Sequence, residues 1–248
     1  MALFDNLAFY APLNSNGNDI VAGVAGTVTG ALLTDGKFGK GYSFAGGVTT
    51  DNIDYGDTKL GVEYNTGFSI NAWIKCGTAD RNMQILSKGK DIADFQGWYF
   101  YKGTNSTYTH ALGVDLISTY GTQVVRVKGS TALNDNVTRM VTMTYDGSGS
   151  SGGIKLYVNA VAETVSALGD SNSISSSFQN TRKLMIGNRD TPATNSQAWD
   201  GFLDEVRVWN KVLSAAEVSQ LYTPGNRLGN LVDNFSTGNG VSVVERAK

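Results

Sequence analysis

The stretch GFLDEVRVWNKVLSAAEVSQLY, residues 201–222, decides the fold because its apolar pattern changes period only once. Polar and apolar residues first alternate, which predicts a β-strand. The alternation places four residues on one face: Phe202, Asp204, Val206 and Val208. From Ser214 onwards the spacing is helical, and Ser214 with Glu217 matches a capping box at a helix start. The segment therefore predicts a long strand followed directly by one short helix.

Most of the chain before this segment has the composition of short strands joined by tight turns. The full chain contains 30 glycines and only 3 prolines, as expected for a β-protein with many turns. A hydrophobic content of 41% with 17% charged residues favours a packed core over disorder. We therefore predict one all-β domain over residues 1–222. Residues 223–248 are predicted to be a C-terminal extension that makes assembly contacts.

Several further motifs occur in an order typical of one family. They are TDGKFGKGYSFAG (34–46), FSINAWIK (68–75), ILSKG (85–89), GWYF (97–100), VTMTYDGSGSSGGIKLYVNAV (141–161) and KLMIGN (183–188). With the closing segment, they make the chain resemble the laminin-G-like group of the concanavalin A-like superfamily over residues 7–222. The resemblance implies an all-β, concanavalin A-like jelly-roll β-sandwich with one short C-terminal helix. It does not fix a function, because this fold hosts lectins, enzyme-appended modules, adhesins and structural proteins.

Charge and hydropathy exclude two classes of partner. The net charge is −2 without a basic run, so we predict no nucleic-acid or membrane partner. No apolar segment is long enough to span a bilayer. The N-terminal residues lack the basic and apolar regions of a secretion signal, which favours synthesis and retention in a cytoplasm. The alternative is that such a signal has been trimmed away.

Catalysis is disfavoured by the distribution of acidic residues. Glycoside hydrolases need two carboxylates across the sugar, and the resemblance implies an E-x-D-x-x-E pattern on one strand for hydrolases of this fold. None of the glutamates has that spacing, and the adjacent Asp204 and Glu205 should point to opposite faces of a strand. A G-x-S-x-G match at residues 149–153 falls between two predicted strands, where a nucleophile elbow does not occur. We predict that the protein is not an enzyme.

A calcium site is predicted from oxygen-bearing side chains. Asp204 shares a face with apolar residues, so its carboxylate should meet a cation, backbone amides or a metal. The loop NSNGND, residues 14–19, supplies hard oxygen donors of the kind that Ca²⁺ prefers. The candidate ligands are Asp204, Asp19 and Asn14. The alternative is that Asp204 accepts turn amides and that the loop binds no metal.

Two loops are candidates for binding a sugar, because a pyranose stacks on an exposed aromatic face flanked by polar groups. The first loop, residues 187–201, offers Arg189, Asp190, Asn195 and Trp199. The second, residues 101–108, offers Tyr101, Asn105 and Tyr108. Each aromatic ring has the alternative of packing against the rim of the sandwich.

These observations favour a non-catalytic structural or surface protein of a large assembly. The most specific form of this prediction is a bacteriophage virion component, a capsid decoration or tail protein, made in the host cytoplasm and able to bind glycans. Its predicted partners are other virion proteins, copies of itself and cell-surface glycans. The alternatives are an extracellular carbohydrate-binding lectin module or adhesin and, less favoured, a glycoside hydrolase.

Overall fold

The computed structural model describes residues 3–47, 50–89, 95–169, 171–190 and 197–223. Within these ranges the chain forms sixteen strands, numbered in chain order, in two antiparallel sheets. The first sheet contains β1 (Leu7–Ala11), β3 (Leu32–Asp35), β4 (Lys40–Ala45), β6 (Phe68–Cys76), β11 (Thr138–Tyr145), β12 (Ile154–Val158), β13 (Val161–Ala162) and β16 (Asp200–Trp209). The second contains β2 (Thr27–Thr29), β5 (Asn52–Asp54), β7 (Met83–Gly89), β8 (Gly97–Lys102), β9 (Leu112–Thr119), β10 (Gln123–Lys128), β14 (Ser166–Ala167) and β15 (Leu184–Ile186).

The two sheets pack face to face as a sandwich, which confirms the predicted jelly-roll fold. The first sheet has the order β13-β12-β11-β6-β16-β4-β3, with β1 also paired to β16. The order of the second is β14-β10-β9-β8-β7-β15-β5-β2. Alternate residues of the central strands face inward, and their apolar side chains form one continuous core. Each sheet therefore has an outer face, and the two outer faces are covered differently.

The alternation predicted for β16 is interrupted by a β-bulge. Asp204 pairs with Trp73 and Arg207 pairs with Asn71, so two residues of β16 oppose one residue of β6. Glu205, inside the bulge, has a φ of 55°. The prediction that Asp204 shares a face with Val206 is therefore wrong, because the extra residue moves Asp204 to the outer face while Val206 stays in the core.

Buried polar contacts hold the bulge. Glu205 and Arg207 form an ion pair, and both side chains are almost completely buried. The Tyr10 hydroxyl donates to Glu205 Oε2 over 2.8 Å, and the Arg207 guanidinium lies 4.3 Å from the centre of the Tyr10 ring. These contacts compensate for burying two charges and for the left-handed backbone of a non-glycine residue.

The outer face of the first sheet is closed by the C-terminal helix. This helix, α2 (Ala215–Tyr222), begins with the predicted capping box between Ser214 and Glu217. Its Val218 and Leu221 belong to a second apolar cluster that includes Trp73 and Trp209. The Tyr222 ring stacks on Trp73 with the ring centres 5.7 Å apart. We call this surface the closed face; it is defined by Trp73, Met140, Tyr157, Trp209 and α2.

Two short helical turns complete the list of elements. A single helical turn, α1 (Asn105–Tyr108), follows β8 and adds to the one helix that was predicted. The G-x-S-x-G match includes a short 3₁₀ turn, Ser151–Gly153, between β11 and β12, in agreement with its predicted position between two strands. The C-terminal extension, apart from Thr223, lies outside the described residues. No helix in the described part of the chain is long and apolar enough to cross a membrane.

Candidate functional site

The outer face of the second sheet contains an open groove. It has a volume of about 560 Å³, within the range of small-ligand sites. The strand register places its central side chains in one row, because Tyr99 pairs with Asp115 and Asp115 pairs with Arg126. We call it the tyrosine groove, defined by Tyr99, Tyr101, Tyr108, Asp115, Arg126 and Arg189.

Two of the tyrosine rings lie over glycines, and this shapes the floor. A Cβ atom on Gly113 would come within 2.6 Å of Tyr101 Cε2. A Cβ atom on Gly103 would come within 2.0 Å of Tyr108 Cγ. Because neither glycine has a side chain, both rings can approach the sheet. Tyr101 and Tyr108 are consequently almost fully buried, at 3% and 6% exposure.

A hydrogen-bonded network orders the polar groups of the floor. The Tyr101 hydroxyl donates to Asp115 Oδ1 over 2.8 Å and lies 2.5 Å from the Tyr108 hydroxyl. Arg126 Nε donates to the other carboxylate oxygen, Asp115 Oδ2, over 3.1 Å. Burial, helped by the Asp115 carboxylate, raises the pKa of Tyr101 well above its usual value. The floor therefore presents the neutral hydroxyl of Tyr101 beside a fixed ion pair.

The walls combine an aromatic pair with an amide pair. The rings of Phe95 and Tyr120 are 4.5 Å apart at their centres, and Tyr120 is 51% exposed. Gln84 Nε2 donates to Gln197 Oε1 over 2.5 Å on the opposite side. The groove thus offers an exposed ring near several hydrogen-bonding groups, a combination suited to a polar ligand with flat apolar faces.

The structure brings together residues from both predicted sugar loops. Arg189 from the first loop lines the same groove as Tyr101 and Tyr108 from the second. Asn105 is exposed on α1, and its backbone N–H donates to Asp80 Oδ1. Asp190 accepts from the backbone N–H of Lys183. Asn195 lies outside the described residues.

The prediction that Trp199 offers a ring to a ligand requires correction. This side chain is 0% exposed and belongs to the main core. Its indole Nε1 donates to the carbonyl oxygens of Lys75 and Phe202, each over 3.2 Å. Both the apolar faces and the polar atom of Trp199 are therefore used within the sandwich.

Several groove residues escaped the sequence analysis. Asp115, Arg126 and Tyr120 were not candidates, although they lie at the centre or wall of the groove. The available signal was the alternation in β8, β9 and β10, which puts polar and aromatic side chains on one face of three neighbouring strands. Using that signal requires the pairing register, which depends on contacts between distant parts of the chain.

The three calcium candidates all accept hydrogen bonds from the backbone. Asp204 Oδ2 accepts from Lys37 and Phe38, at 2.8 and 3.1 Å, and Asn14 Oδ1 accepts from Lys40 at 3.0 Å. Asp19 orders its own loop, with Oδ1 accepting from the backbone N–H groups of Tyr10 and Val21 and Oδ2 from that of Ala22.

These contacts are of the kind that the turn-organising alternative expects, with carboxylate and amide oxygens accepting backbone N–H groups. Among the described residues, no group of three or more His, Cys, Asp or Glu side chains could hold a metal ion. Calcium binding stays a prediction that no observation in the structure tests.

Asp204 is an unusual carboxyl group because it is completely buried. Its Oδ1 atom has no hydrogen-bond partner among the described residues. Burial raises the pKa of Asp204 to about 8, and the neighbouring Glu205 acts in the same direction, while the N–H groups of Phe38 and Lys37 oppose the shift. We infer that this group tightens the turn before β4 and is protonated more readily than an exposed aspartate.

Comparison with known proteins places this architecture in a family. The family model Laminin_G_3, described as the concanavalin A-like lectin/glucanases superfamily, matches residues 45–219. The chain therefore belongs to this family, in agreement with the resemblance of its motifs. A comparison with curated proteins found no match.

Solved structures of low sequence identity share the fold. The binding domain of Paraclostridial Mosquitocidal Protein 1 aligns with a TM-score of 0.66 and 17% identity, covering 89% of this chain and 52% of that one. Domain 4 of AbnA, a GH43 extracellular arabinanase from Geobacillus stearothermophilus, aligns with a TM-score of 0.62 and 16% identity, covering 88% of this chain and 99% of that domain. The botulinum neurotoxin serotype G binding domain aligns with a TM-score of 0.60 and 16% identity, covering 88% of this chain and 50% of that one. This chain thus spans about half the length of the toxin domains and nearly all of the arabinanase domain.

Proposed function

We propose that this protein is a non-catalytic glycan-binding module displayed on a large assembly. The observation that supports glycan binding is the tyrosine groove, in which an exposed ring, Tyr120, lies near fixed hydroxyl, carboxylate, guanidinium and amide groups. A sugar ring needs both an aromatic face for its C–H groups and polar partners for its hydroxyls.

Two proteins of the same fold add support. Domain 4 of AbnA was solved in complex with arabinotriose. The binding domain of botulinum neurotoxin DC was solved in complex with SialylT, and it has a TM-score of 0.58 to this chain. The arabinanase domain is the more useful parallel because its length corresponds to that of this chain.

The carboxylates support a non-catalytic role. Among the described residues that line the groove, Asp115 is the only acidic one, and both its oxygens are engaged by Tyr101 and Arg126. Hydrolysis of a glycosidic bond by two carboxylates needs a proton donor and a second, ionised group. We expect the purified protein to release no reducing ends from a panel of polysaccharides. Release that is abolished by Asp115→Asn would contradict this part of the proposal.

The assembly role is supported by an exposed strand at the edge of a sheet. Among the described strands, β3 is the last of the first sheet, and its Leu32 and Leu33 are 69% and 47% exposed. Exposed apolar residues on an edge strand are typical of interaction surfaces. We propose that the large assembly is a bacteriophage virion, in which the protein is a capsid decoration or tail protein. An antibody against the chain should label purified bacteriophage particles in electron micrographs. Particles that the antibody does not label would contradict the virion proposal.

Glycan binding is best tested with two matched tyrosine substitutions. Tyr120→Ala removes the exposed ring of the groove, whereas Tyr222→Ala removes a ring of similar exposure, 40% against 51%, from helix α2 on the other side of the sandwich. We expect Tyr120→Ala to weaken binding in a glycan array and in calorimetry by about 10-fold, equivalent to one stacking contact. Tyr222→Ala should leave the affinity unchanged. If the two variants bound glycans with equal affinity, the binding site would lie outside the groove.

A further inference from the structure

We infer that the tyrosine groove binds a run of about three linked sugar rings, such as an internal segment of a longer glycan, and not a single terminal sugar. The inference rests on the proposed glycan-binding function and adds the length of the ligand to it. Two observations carry it: the separation between the two ends of the groove and the volume between them.

The two ends of the groove are far apart along the strands. At one end, Gln84 pairs with Tyr101, and Tyr101 pairs with Gly113, so the three residues form one row across β7, β8 and β9. At the other end is Tyr120, which directly follows Thr119, the last residue of β9. A strand rises by about 3.4 Å per residue, and the six steps from Gly113 to Thr119 therefore cover about 20 Å of backbone.

A single sugar ring is too short to contact both ends. A six-membered ring built from bonds of about 1.5 Å spans roughly one strand spacing, about 5 Å, with its substituents. The Tyr120 ring lies against Phe95, which comes two residues before β8, so this ring stays at its own end of the groove. A sugar that stacks on Tyr120 therefore leaves the amide of Gln84 to another ring of the same glycan.

The volume of the groove agrees with this length. The groove encloses about 560 Å³, whereas a cavity of about 150 Å³ accommodates one benzene ring. Sugar rings are bulkier than benzene because they carry hydroxyl groups, so the space corresponds to about three of them. A single sugar would leave most of the polar lining in contact with water.

The floor between the two ends offers contacts to a middle ring. Tyr99 pairs with Asp115 and Asp115 pairs with Arg126, so Asp115 lies between the row of Gln84 and the end at Tyr120. Its carboxylate is fixed by the Tyr101 hydroxyl over 2.8 Å and by Arg126 Nε over 3.1 Å. Groups that are already ordered lower the entropic cost of binding. Each ring of a three-ring segment thus has its own partner: the Tyr120 ring, the Asp115 network or the Gln84 amide.

The experiment measures how affinity depends on the number of linked rings. The probes are arabino-, xylo-, cello- and manno-oligosaccharides of one to six rings, titrated into the full chain by calorimetry. The variants are Tyr120→Ala and Gln84→Ala, one at each end of the groove. Gln123→Ala is the control, because Gln123 also lies on the second sheet but accepts from Ser175 and Ser176 and is not among the lining residues.

We expect affinity in the series that binds to rise by at least about 10-fold from one ring to three and then to level off, because further rings extend beyond the groove. Gln84→Ala should remove the gain given by the third ring while leaving the affinity for one ring unchanged. Tyr120→Ala should weaken binding at every length, and Gln123→Ala should keep the wild-type dependence on length. A thermal melt checks that each variant is folded.

A second measurement needs no variant. In saturation-transfer difference NMR of the wild-type chain with a six-ring oligosaccharide, the protons of about three consecutive rings should receive saturation from the protein. Saturation confined to one terminal ring would contradict the inference.

The inference and the proposed function fail in distinguishable ways. Equal affinity for one ring and for six would refute the multi-ring site but leave glycan binding intact. A loss in Gln84→Ala by the same factor at every length would also refute it, because the two ends would then contact the same ring. Failure of the folded wild-type chain to bind any member of the four series, or any glycan on an array, would refute both.

Discussion

The two outer faces of the sandwich are both rich in aromatic residues, yet they differ in what covers them. On the closed face, Trp73 and Trp209 are buried beneath α2 and N-terminal residues. On the second sheet, Tyr101 and Tyr108 lie over glycines and are buried, and the groove above them remains open. The closed face behaves as a second core, and the open face is available to a ligand.

The chemistry of the rings explains why one face can stay open. The indole of Trp209 has one polar atom, which is satisfied by the carbonyl oxygen of Leu3 over 3.0 Å. The tyrosines of the groove keep hydroxyl groups that bond to each other and to Asp115. Burying apolar rings stabilises the fold, whereas an ordered row of hydroxyl and charged groups provides directional contacts to a ligand.

The largest expected effect is on the closed face. Trp209→Ala should lower the free energy of unfolding by about 3–5 kcal/mol, because it leaves a cavity beneath α2. Tyr120→Ala, on the open face, should change it by less than about 0.5 kcal/mol. Urea titrations followed by circular dichroism measure both. If both variants lost a similar free energy of unfolding, the closed face would not contribute more to stability than the face that contains the groove.

The next effect concerns the buried carboxyl of Asp204 beside the closed face. Its folded pKa, about 8, exceeds the usual value near 4, so the folded state holds a proton that the unfolded state has lost. The protonated Asp204 contributes fully to the free energy of unfolding below about pH 4. This contribution is lost as the pH rises through the folded pKa, and the free energy of unfolding falls by up to about 1.4 kcal/mol per pH unit. We expect Asp204→Asn, which keeps an amide acceptor, to flatten the decline measured by urea unfolding from about pH 5 to about pH 8. An identical slope in both proteins would contradict this assignment.

A smaller effect is expected from a methyl group placed under the groove. Gly113→Ala should displace the Tyr101 ring, cost about 1–3 kcal/mol of stability and weaken glycan binding by about 10-fold. The control is Gly152→Ala, because the nearest atom to its added Cβ would be 3.7 Å away. Calorimetry and thermal melts separate the two effects. Undiminished binding by Gly113→Ala would show that the position of Tyr101 does not matter to the ligand.

The smallest effect is expected from chelation, since the candidate calcium ligands already accept backbone N–H groups. We expect EDTA to change the melting temperature by less than about 2 °C. A larger fall that calcium reverses, and that is absent in Asp204→Asn, would establish the metal site predicted from the sequence.

Local signals in the sequence were sufficient for the element types and the family. The capping box of α2 is confirmed because it depends on two residues within one turn of helix. The bulge at Glu205 was missed because nothing in a strand pattern marks a single non-glycine residue in a left-handed conformation. Its stabilisation comes from Tyr10, a residue 195 positions away in the chain.

The groove was predicted only in part, for a similar reason. Tyr101 and Tyr108 are close in sequence and were grouped correctly, but Asp115 and Arg126 join them only through the pairing of β9 with β10. That pairing includes a register shift at Gln123. The residues of the turn between β9 and β10 do not by themselves predict this shift. Trp199 was wrongly predicted to face a ligand because a tryptophan in a loop can turn inward. The carbonyl oxygens that accept its indole N–H come from β6 and β16.

The arrangement of the chain ends has a practical consequence for how this module can be attached. Leu3 and Leu221 contact the same apolar cluster, and Asn210 is hydrogen-bonded to Asn6, so both ends of the described chain leave from the sheet opposite the groove. A label attached close to Leu3 or Leu221 therefore lies on the sheet opposite the groove. A sensor surface prepared through a residue near either of these positions should leave the groove accessible.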